Sequence, residues 1–163
     1  MEKFLELKEE AIKKLKTADH ILTQTYPLVR DSKLLLAVMD NIFLSLTNAM
    51  SSLLYYERLS KSIPPFHDNF DSKFNMFASK LVGKHKIKKE HVELLQEVKD
   101  IILEHRKSPV EFTRKDCFVI CSDDYDMKSI SIDKISRYLS EAKSFVEGTL
   151  KLIKDTPSAN NSV

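Results

Sequence analysis

The sequence predicts a single all-α domain, an elongated antiparallel bundle of four long helices and one short helix, with a minor β-hairpin before the last helix. Two observations lead to this prediction. Apolar residues recur at three- and four-residue steps through most of the 163 residues, which is the spacing of one buried helix face. The chain also contains only two glycines, Gly83 and Gly148, far below the roughly 7% of average usage.

The first two predicted helices contain most of the apolar periodicity. The first runs from about Lys3 to Thr25, and Pro27 should end or kink it because proline lacks the amide donor of a helical hydrogen bond. The second follows the cap pair Asp31-Ser32 and ends near Ser62. Its apolar stripe is wide, which predicts contacts with more than one neighbouring helix. The stripe comprises Leu35, Leu36, Met39, Ile42, Phe43, Leu46, Ala49, Met50, Leu53, Leu54 and Tyr56.

The second half of the chain is predicted to contain three more helices and two strands. A short helix should run from Asp68, its N-cap, to about Leu81, and a longer one from about Lys88 to Lys107. The helical spacing of apolar residues then ends. Cys117–Cys121 is a β-prone run, and Met127–Ser131 can pair with it as a second antiparallel strand. The last helix should begin at the end of that strand. We expect one helical-bundle domain over residues 1–155 and a disordered tail over residues 156–163.

The composition also indicates a compartment. Two cysteines, Cys117 and Cys121, do not make a disulfide framework, which favours a reducing environment. The longest apolar stretch, Leu34–Met39, is far shorter than the ~20 residues of a transmembrane helix, and the N-terminal segment lacks the apolar core of a signal peptide. We therefore expect a cytoplasmic protein that makes no contact with a membrane.

Every catalytic or cofactor motif that we tested is missing from the sequence. Two glycines cannot build a glycine-rich nucleotide loop. A di-metal carboxylate centre needs a glutamate three residues before a histidine, and none of the five histidines has one. Cys117 and Cys121 have neither a redox nor a zinc spacing, so we expect both thiols in the core. The sequence predicts no catalytic residue, no cofactor and no metal site, and we expect a protein that is not an enzyme.

A basic cluster is the strongest positive signal in the sequence. Residues 80–92 contain five lysines and one glutamate, a local net charge of five minus one, or +4. Such a run, in a loop that leads into a helix, can contact phosphate groups, although it also suits an ordinary solvated surface. A second basic group at the far end of the same helix predicts two basic poles. The candidate contacts for an anion or nucleic acid are Lys80, Lys84, Lys86, Lys88, Lys89, Arg114 and Lys115.

Other polar and aromatic groups leave alternatives open. Four phenylalanines at helical spacing favour core packing over base stacking, because stacking surfaces interleave more basic residues. His91 and His105 mark the two ends of one apolar row and are expected to be half-buried. Asn41 and Asn48 share one face of the second helix, which is either solvent-exposed or a seam that fixes helix register. The four phenylalanines are Phe66, Phe70, Phe74 and Phe77.

The second helix resembles the long helices of HEPN-type bundles. The residues that carry the resemblance are Asp40, Phe43, Ser45, Leu46, Asn48 and Ala49, followed by Tyr55-Tyr56-Glu57-Arg58. The resemblance implies a small all-α domain, often dimeric, in a family with many ribonucleases and toxin–antitoxin components. That family's catalytic signature, an arginine followed four to six residues later by a histidine, is missing, because Arg58 precedes His67 by nine. No catalytic residue is carried over.

These observations together predict a non-catalytic binding or scaffold protein that engages a protein or an RNA-containing partner through its helical surface and basic poles. The alternative is a HEPN-like ribonuclease or toxin–antitoxin component that uses residues such as Arg58 and His67. Self-association through the wide stripe of the second helix is a third interpretation. The Lys/Ile-rich, glycine-poor style of the chain, together with the segment Ser108–Lys115, also resembles archaeal proteins, a likeness that implies no activity.

Overall fold

The computed structural model describes residues 2–107, 110–114, 116–121 and 127–154. Helices dominate this part of the chain, with a small sheet before the last one, so the predicted fold class is confirmed. The predicted tail at 156–163 lies outside the described residues. The elements in chain order are α1 (Lys3–His20), a π-helical turn (Ile21–Thr25), α2 (Tyr26–Val29), α3 (Lys33–Leu59), α4 (Phe70–Met76), a second π-helical turn (Phe77–Leu81), α5 (Val82–His85), α6 (Lys89–Lys107), β1 (Val110–Arg114), β2 (Cys117–Cys121), β3 (Met127–Ser131) and α7 (Ile132–Leu150).

Helix α3 packs against α1 along its length. The Ser45 hydroxyl donates to the carbonyl oxygen of Ala11 at 2.7 Å, and the Ser52 hydroxyl donates to that of Phe4 at 2.6 Å. The later serine on α3, Ser52, contacts the earlier residue on α1, Phe4, so the two helices are antiparallel. Both serines are buried, and a buried hydroxyl without a partner costs about 1–3 kcal/mol. These serines, rather than the asparagines of α3, therefore fix the register.

The wide apolar stripe of α3 is used within the chain. Helix α3 contacts α1, α4, α6 and α7, and most of the stripe is buried. The helix is long and apolar enough to cross a membrane by length and composition alone, with a mean hydropathy of 1.4, and its central place in the bundle accounts for that composition. The stripe is therefore covered mainly by helices of the same chain, and self-association through it stays a prediction.

The small sheet has three antiparallel strands in the order β1-β2-β3. The predicted hairpin of β2 and β3 is present, with Cys117 opposite Ser131, and β1 adds a strand that the periodicity did not indicate. Ile120 belongs to the hydrophobic core, whereas Cys117 lies on the opposite strand face and is half-buried, so the expectation of a core thiol is wrong for Cys117. The side chain of Cys121 lies outside the described residues.

Helix boundaries show where local chemistry differs from the prediction. Asn69, not Asp68, caps α4, because its side-chain oxygen accepts the Ser72 N–H at 2.8 Å. Ser131 caps α7 by accepting the Lys134 N–H at 3.2 Å. Pro27 does not end the first helical segment, since the helical backbone continues from α1 through the π-helical turn at Ile21–Thr25 into α2, which contains Pro27.

The chain makes its sharp turns without glycine. Neither glycine has a positive φ, whereas Arg30, Lys61, Lys86 and Asp116 do. At Lys61, with φ of 60°, the Ser62 N–H bonds to the Glu57 carbonyl oxygen at 3.0 Å and the Lys61 N–H bonds to that of Arg58 at 2.9 Å. This pair of bonds is the Schellman arrangement, which usually places a glycine at that position.

Replacing Lys61 with glycine should therefore stabilise the protein. Left-handed backbone costs a non-glycine residue about 1–2 kcal/mol, and the extra freedom of glycine in the unfolded chain offsets only part of that. We expect the free energy of unfolding in urea to rise by about 0.5–1 kcal/mol. The matched control, Lys13→Gly inside α1, should lower it by about 1 kcal/mol. A loss in the Lys61→Gly variant would contradict this account of the turn.

Candidate functional site

The lysine cluster lies in a single segment, which we call the basic turn and define as residues 80–91. It begins in the second π-helical turn, passes through α5 and enters α6 at Lys89. Lys86, with φ of 54°, ends α5, and the Ile87 N–H bonds to the Val82 carbonyl oxygen at 3.0 Å. Five lysines of this segment are exposed to solvent, as a phosphate-binding surface requires: Lys80, Lys84, Lys86, Lys88 and Lys89.

A buried carboxylate anchors the basic turn to the end of α3. Glu57 is only 4% exposed. Its Oε2 accepts from Lys84 Nζ at 2.8 Å and from the Ser62 hydroxyl, and its Oε1 lies 2.6 Å from His85 Nε2. Both carboxylate oxygens are therefore occupied. We call Glu57, Ser62, Lys84 and His85 the Glu57 cluster.

The Glu57 cluster keeps its carboxylate ionised. Burial by itself raises the pKa of Glu57, but the hydrogen bonds from Lys84, Ser62 and His85 outweigh that cost, and the pKa lies below its ordinary value of 4.5. Of the five lysines, Lys84 therefore forms an ion pair with a buried carboxylate of the protein itself. Among the described residues, the other four form no ion pair with a buried carboxylate; Lys89 forms a long pair of 3.8 Å with exposed Glu93.

Beside the basic turn lies a cleft of about 250 Å³, which we call the histidine cleft. The basic turn supplies one wall and α7 supplies the other. None of the described residues that line it is acidic, although two are lysines and two are histidines. Its lining comprises His85, Lys86, Ile87, Lys88, His91, Ser144, Phe145, Gly148, Thr149 and Leu152.

The two imidazoles of the cleft have different surroundings. The His91 ring packs edge-on against buried Phe145, with centroids 5.6 Å apart. Burial and the nearby Lys88 lower the pKa of His91, and Glu141 and Glu90 oppose them only in part. His91 is therefore mainly neutral at pH 7. His85 instead faces the Glu57 carboxylate through Nε2.

The other candidate residues do not form a comparable site. Of the second basic pole, Arg106 and Lys107 are exposed at the end of α6, whereas the side chain of Arg114, together with Lys115, lies outside the described residues. Arg58 packs its guanidinium 5.4 Å from the Phe66 ring centre, and it lines a cavity of about 300 Å³ whose described lining does not include His67. The ribonuclease interpretation, which needs Arg58 and His67 together, stays a prediction.

The phenylalanine set behaves mainly as packing. Phe77 is buried, and Phe66, Phe70 and Phe74 are half-buried against the core. Phe74 stacks on Phe70 at 5.6 Å, and Lys99 Nζ lies 4.8 Å from the Phe70 ring centre. Because neighbours already cover the Phe70 ring, these side chains favour core packing over base stacking.

A larger cavity lies elsewhere, between α1 and α7. Its volume is about 580 Å³, and aliphatic side chains such as Leu15 and Val146 line it with four lysines. One of those lysines, Lys143, forms an ion pair of 2.7 Å with Asp19. No histidine is among its described lining residues. This cavity therefore lies away from the histidines, and its lining, unlike that of the histidine cleft, includes the carboxylates of Asp19 and Glu147.

Comparison with protein-family models, curated proteins and solved structures gives no significant match. The resemblance to HEPN-type bundles therefore stays a prediction. Within the described ranges, no group of three or more His, Cys, Asp or Glu side chains is placed to hold a metal ion.

Sequence reasoning missed Glu57 and Gly148 as parts of the site. A signal for Glu57 was present, because it follows the buried Leu53 and Leu54 at helical spacing and continues their apolar stripe. A carboxylate at such a position requires cationic or hydrogen-bonding partners. No comparable signal marked Gly148, since only the packing of α7 beside the basic turn places it in the cleft.

Proposed function

We propose that this chain is a non-catalytic binding protein that engages an RNA-containing partner through the phosphate groups of the RNA. The observation that carries the proposal is the basic turn, in which four lysines are exposed and two of them, Lys86 and Lys88, line a cleft whose described lining holds no carboxylate. Clustered lysines bind polyphosphate chains by releasing condensed counterions. Because the overall net charge is only +2, we expect the attraction for RNA phosphates to act at the basic turn rather than over the whole surface.

The Glu57 cluster supports a non-catalytic role. A serine nucleophile requires a base within hydrogen-bonding distance of its hydroxyl. Here the Ser62 hydroxyl donates to Glu57, whose lowered pKa makes its carboxylate a weak base, and His85 faces the same carboxylate instead of the hydroxyl. The arrangement therefore stabilises an ionised carboxylate instead of activating a hydroxyl.

The proposal predicts a strongly salt-dependent affinity for RNA. Replacing Lys80, Lys86, Lys88 and Lys89 with glutamine should weaken binding of single-stranded RNA and reduce the slope of log affinity against log salt by roughly 3, since each lost phosphate contact removes about 0.7. Lys84 is left in place because it holds Glu57. Fluorescence anisotropy at several salt concentrations measures both quantities.

The control carries the same change in charge on α1. Its four substitutions to glutamine are at Lys3, Lys13, Lys14 and Lys16, and its slope should remain near that of the unmodified protein. Equal loss of affinity in both variants would show that binding depends on net charge alone. Unchanged binding in the first variant would remove the basic turn from the account and leave a protein partner as the better interpretation.

A further inference from the structure

We infer that the histidine cleft is a binding site for a terminal phosphate monoester, either on a free nucleotide or at the end of an RNA strand. This inference deepens the proposed function, because it assigns a ligand group to the cleft beside the basic turn. Four observations carry it: the size of the cleft, its donors, the pairing of His85 with Glu57, and the space beside Gly148.

The size of the cleft favours a small group. Its volume of about 250 Å³ is below the roughly 300–1,000 Å³ of sites for drug-sized ligands. The middle of an RNA chain would contact the exposed lysines, whereas a terminal phosphate group is small enough to enter between α7 and the basic turn. Buried Phe145 and Thr149 are among the lining residues, which limits how deep a larger ligand could reach.

The polar groups of the cleft suit an anion with several oxygen atoms. Lys86 and Lys88 bring ammonium groups, and Ser144 brings a hydroxyl from α7. Hydrogen bonds between charged donors and phosphate oxygens are short and strong. A phosphate monoester has three such oxygens and a second ionisation near pH 6, so it gains more from this donor set than a phosphodiester does.

Glu57 orients the His85 ring at the edge of the cleft. Because Nε2 of His85 faces the carboxylate at 2.6 Å, Nδ1 is the ring nitrogen that remains for a ligand. Nδ1 can donate to a phosphate oxygen when the ring carries both protons.

The second imidazole adds a proton-linked contact. His91 is faced by Lys88 and Glu90 from its own element and by Glu141 from α7. A dianionic phosphate in the cleft would add negative charge beside His91 and favour the protonated ring. Binding of the phosphate should therefore take up protons and tighten as the pH falls from 8 to 6.5, above the second ionisation of the ligand.

Gly148 provides a way to block the cleft without changing its charge. A Cβ atom built at Gly148 meets no atom within 4 Å, and neither glycine has a positive φ. Leucine at this position is compatible with the helix and would project into space beside the cleft. Gly83 has the same open surroundings but does not line the cleft, so Gly83→Leu is the matched control.

The test measures binding of one oligoribonucleotide prepared with a 5′-phosphate, with a 3′-phosphate or with hydroxyl ends, together with adenosine 5′-monophosphate and adenosine. At least one phosphorylated end should bind about tenfold more tightly than hydroxyl ends, the effect expected of one hydrogen bond to a charged group. Gly148→Leu and His91→Gln should abolish the preference, and Gly83→Leu should keep it. Adenosine 5′-monophosphate, but not adenosine, should shift the His91 ring resonances towards those of the protonated form.

The outcomes separate this inference from the proposed function. Equal binding of all three RNAs, with no shift of His91 by adenosine 5′-monophosphate, would overturn the cleft assignment and leave RNA binding by the lysines intact. Binding of adenosine 5′-monophosphate with no binding of any RNA would support the cleft and overturn the proposed function. A preference for phosphorylated ends that survives in Gly148→Leu would place the phosphate elsewhere and contradict the inference.

Discussion

Phe145→Ala should lower the free energy of unfolding by about 3–5 kcal/mol. Phe145 is 1% exposed, and its ring packs edge-on against Phe77 at 6.1 Å and against His91 at 5.6 Å. Truncation removes the transfer free energy of the ring and leaves a cavity between α7 and the basic turn. Domains are stable by only about 5–15 kcal/mol, so this single change should remove a large share of the total. Urea unfolding measures the loss.

The control for this prediction is the same substitution at a half-buried ring. Phe74→Ala also removes an aromatic contact, because the Phe74 ring stacks on the Phe70 ring at 5.6 Å. Solvent can reach the space that the Phe74 ring leaves. We expect a loss of about 1–2 kcal/mol there. If the two variants lost the same stability, the packing of α7 against the basic turn would not be the tight contact described above.

Glu57→Ala should lower the free energy of unfolding by about 2–3 kcal/mol. The substitution removes a carboxylate that accepts three side-chain hydrogen bonds, and it leaves His85, whose side chain is only 17% exposed, without its acceptor. The Lys84 side chain is 48% exposed and can turn to solvent, which limits the loss. Glu93→Ala, which breaks only an exposed pair, should change stability by less than about 1 kcal/mol.

The Glu57 cluster also predicts how stability depends on pH. Because the pKa of Glu57 is lowered in the folded state, its contribution is present above its unfolded pKa of about 4.5 and is lost as the pH falls through the lower folded value. The stability difference between the unmodified protein and Glu57→Gln should therefore be largest near neutral pH and shrink below pH 4.5. A difference that grew on acidification would mean that the carboxylate is not ionised in the folded protein.

The sequence predicted the helices well because their apolar spacing is local information. The positions of α1, α3, α6 and α7 follow from residues that recur every three or four positions, and the β2–β3 hairpin follows from two β-prone runs beside a turn. Strand β1 was missed, since the alternation in Val110–Arg114 rests on only two apolar residues, Val110 and Phe112, and its pairing with β2 is not visible in the sequence.

The candidate site was only partly predictable. The lysines of the basic turn are adjacent in sequence, so their charge density was visible without a structure. The cleft depends on contacts between elements that are far apart in the chain, since His85 and Gly148 lie more than sixty residues from each other. The ion pair between Lys84 and Glu57 could not be predicted for the same reason, because it joins residues that are 27 positions apart.

The most direct test of the central claim is a map of amide chemical-shift changes when single-stranded RNA is added to the labelled protein at low salt. The account predicts that the largest changes fall on residues 80–91 and on residues 144–149 of α7, and that they fade as salt is raised. Changes concentrated instead on α1, or no changes at any RNA concentration that the lysines could bind, would contradict it.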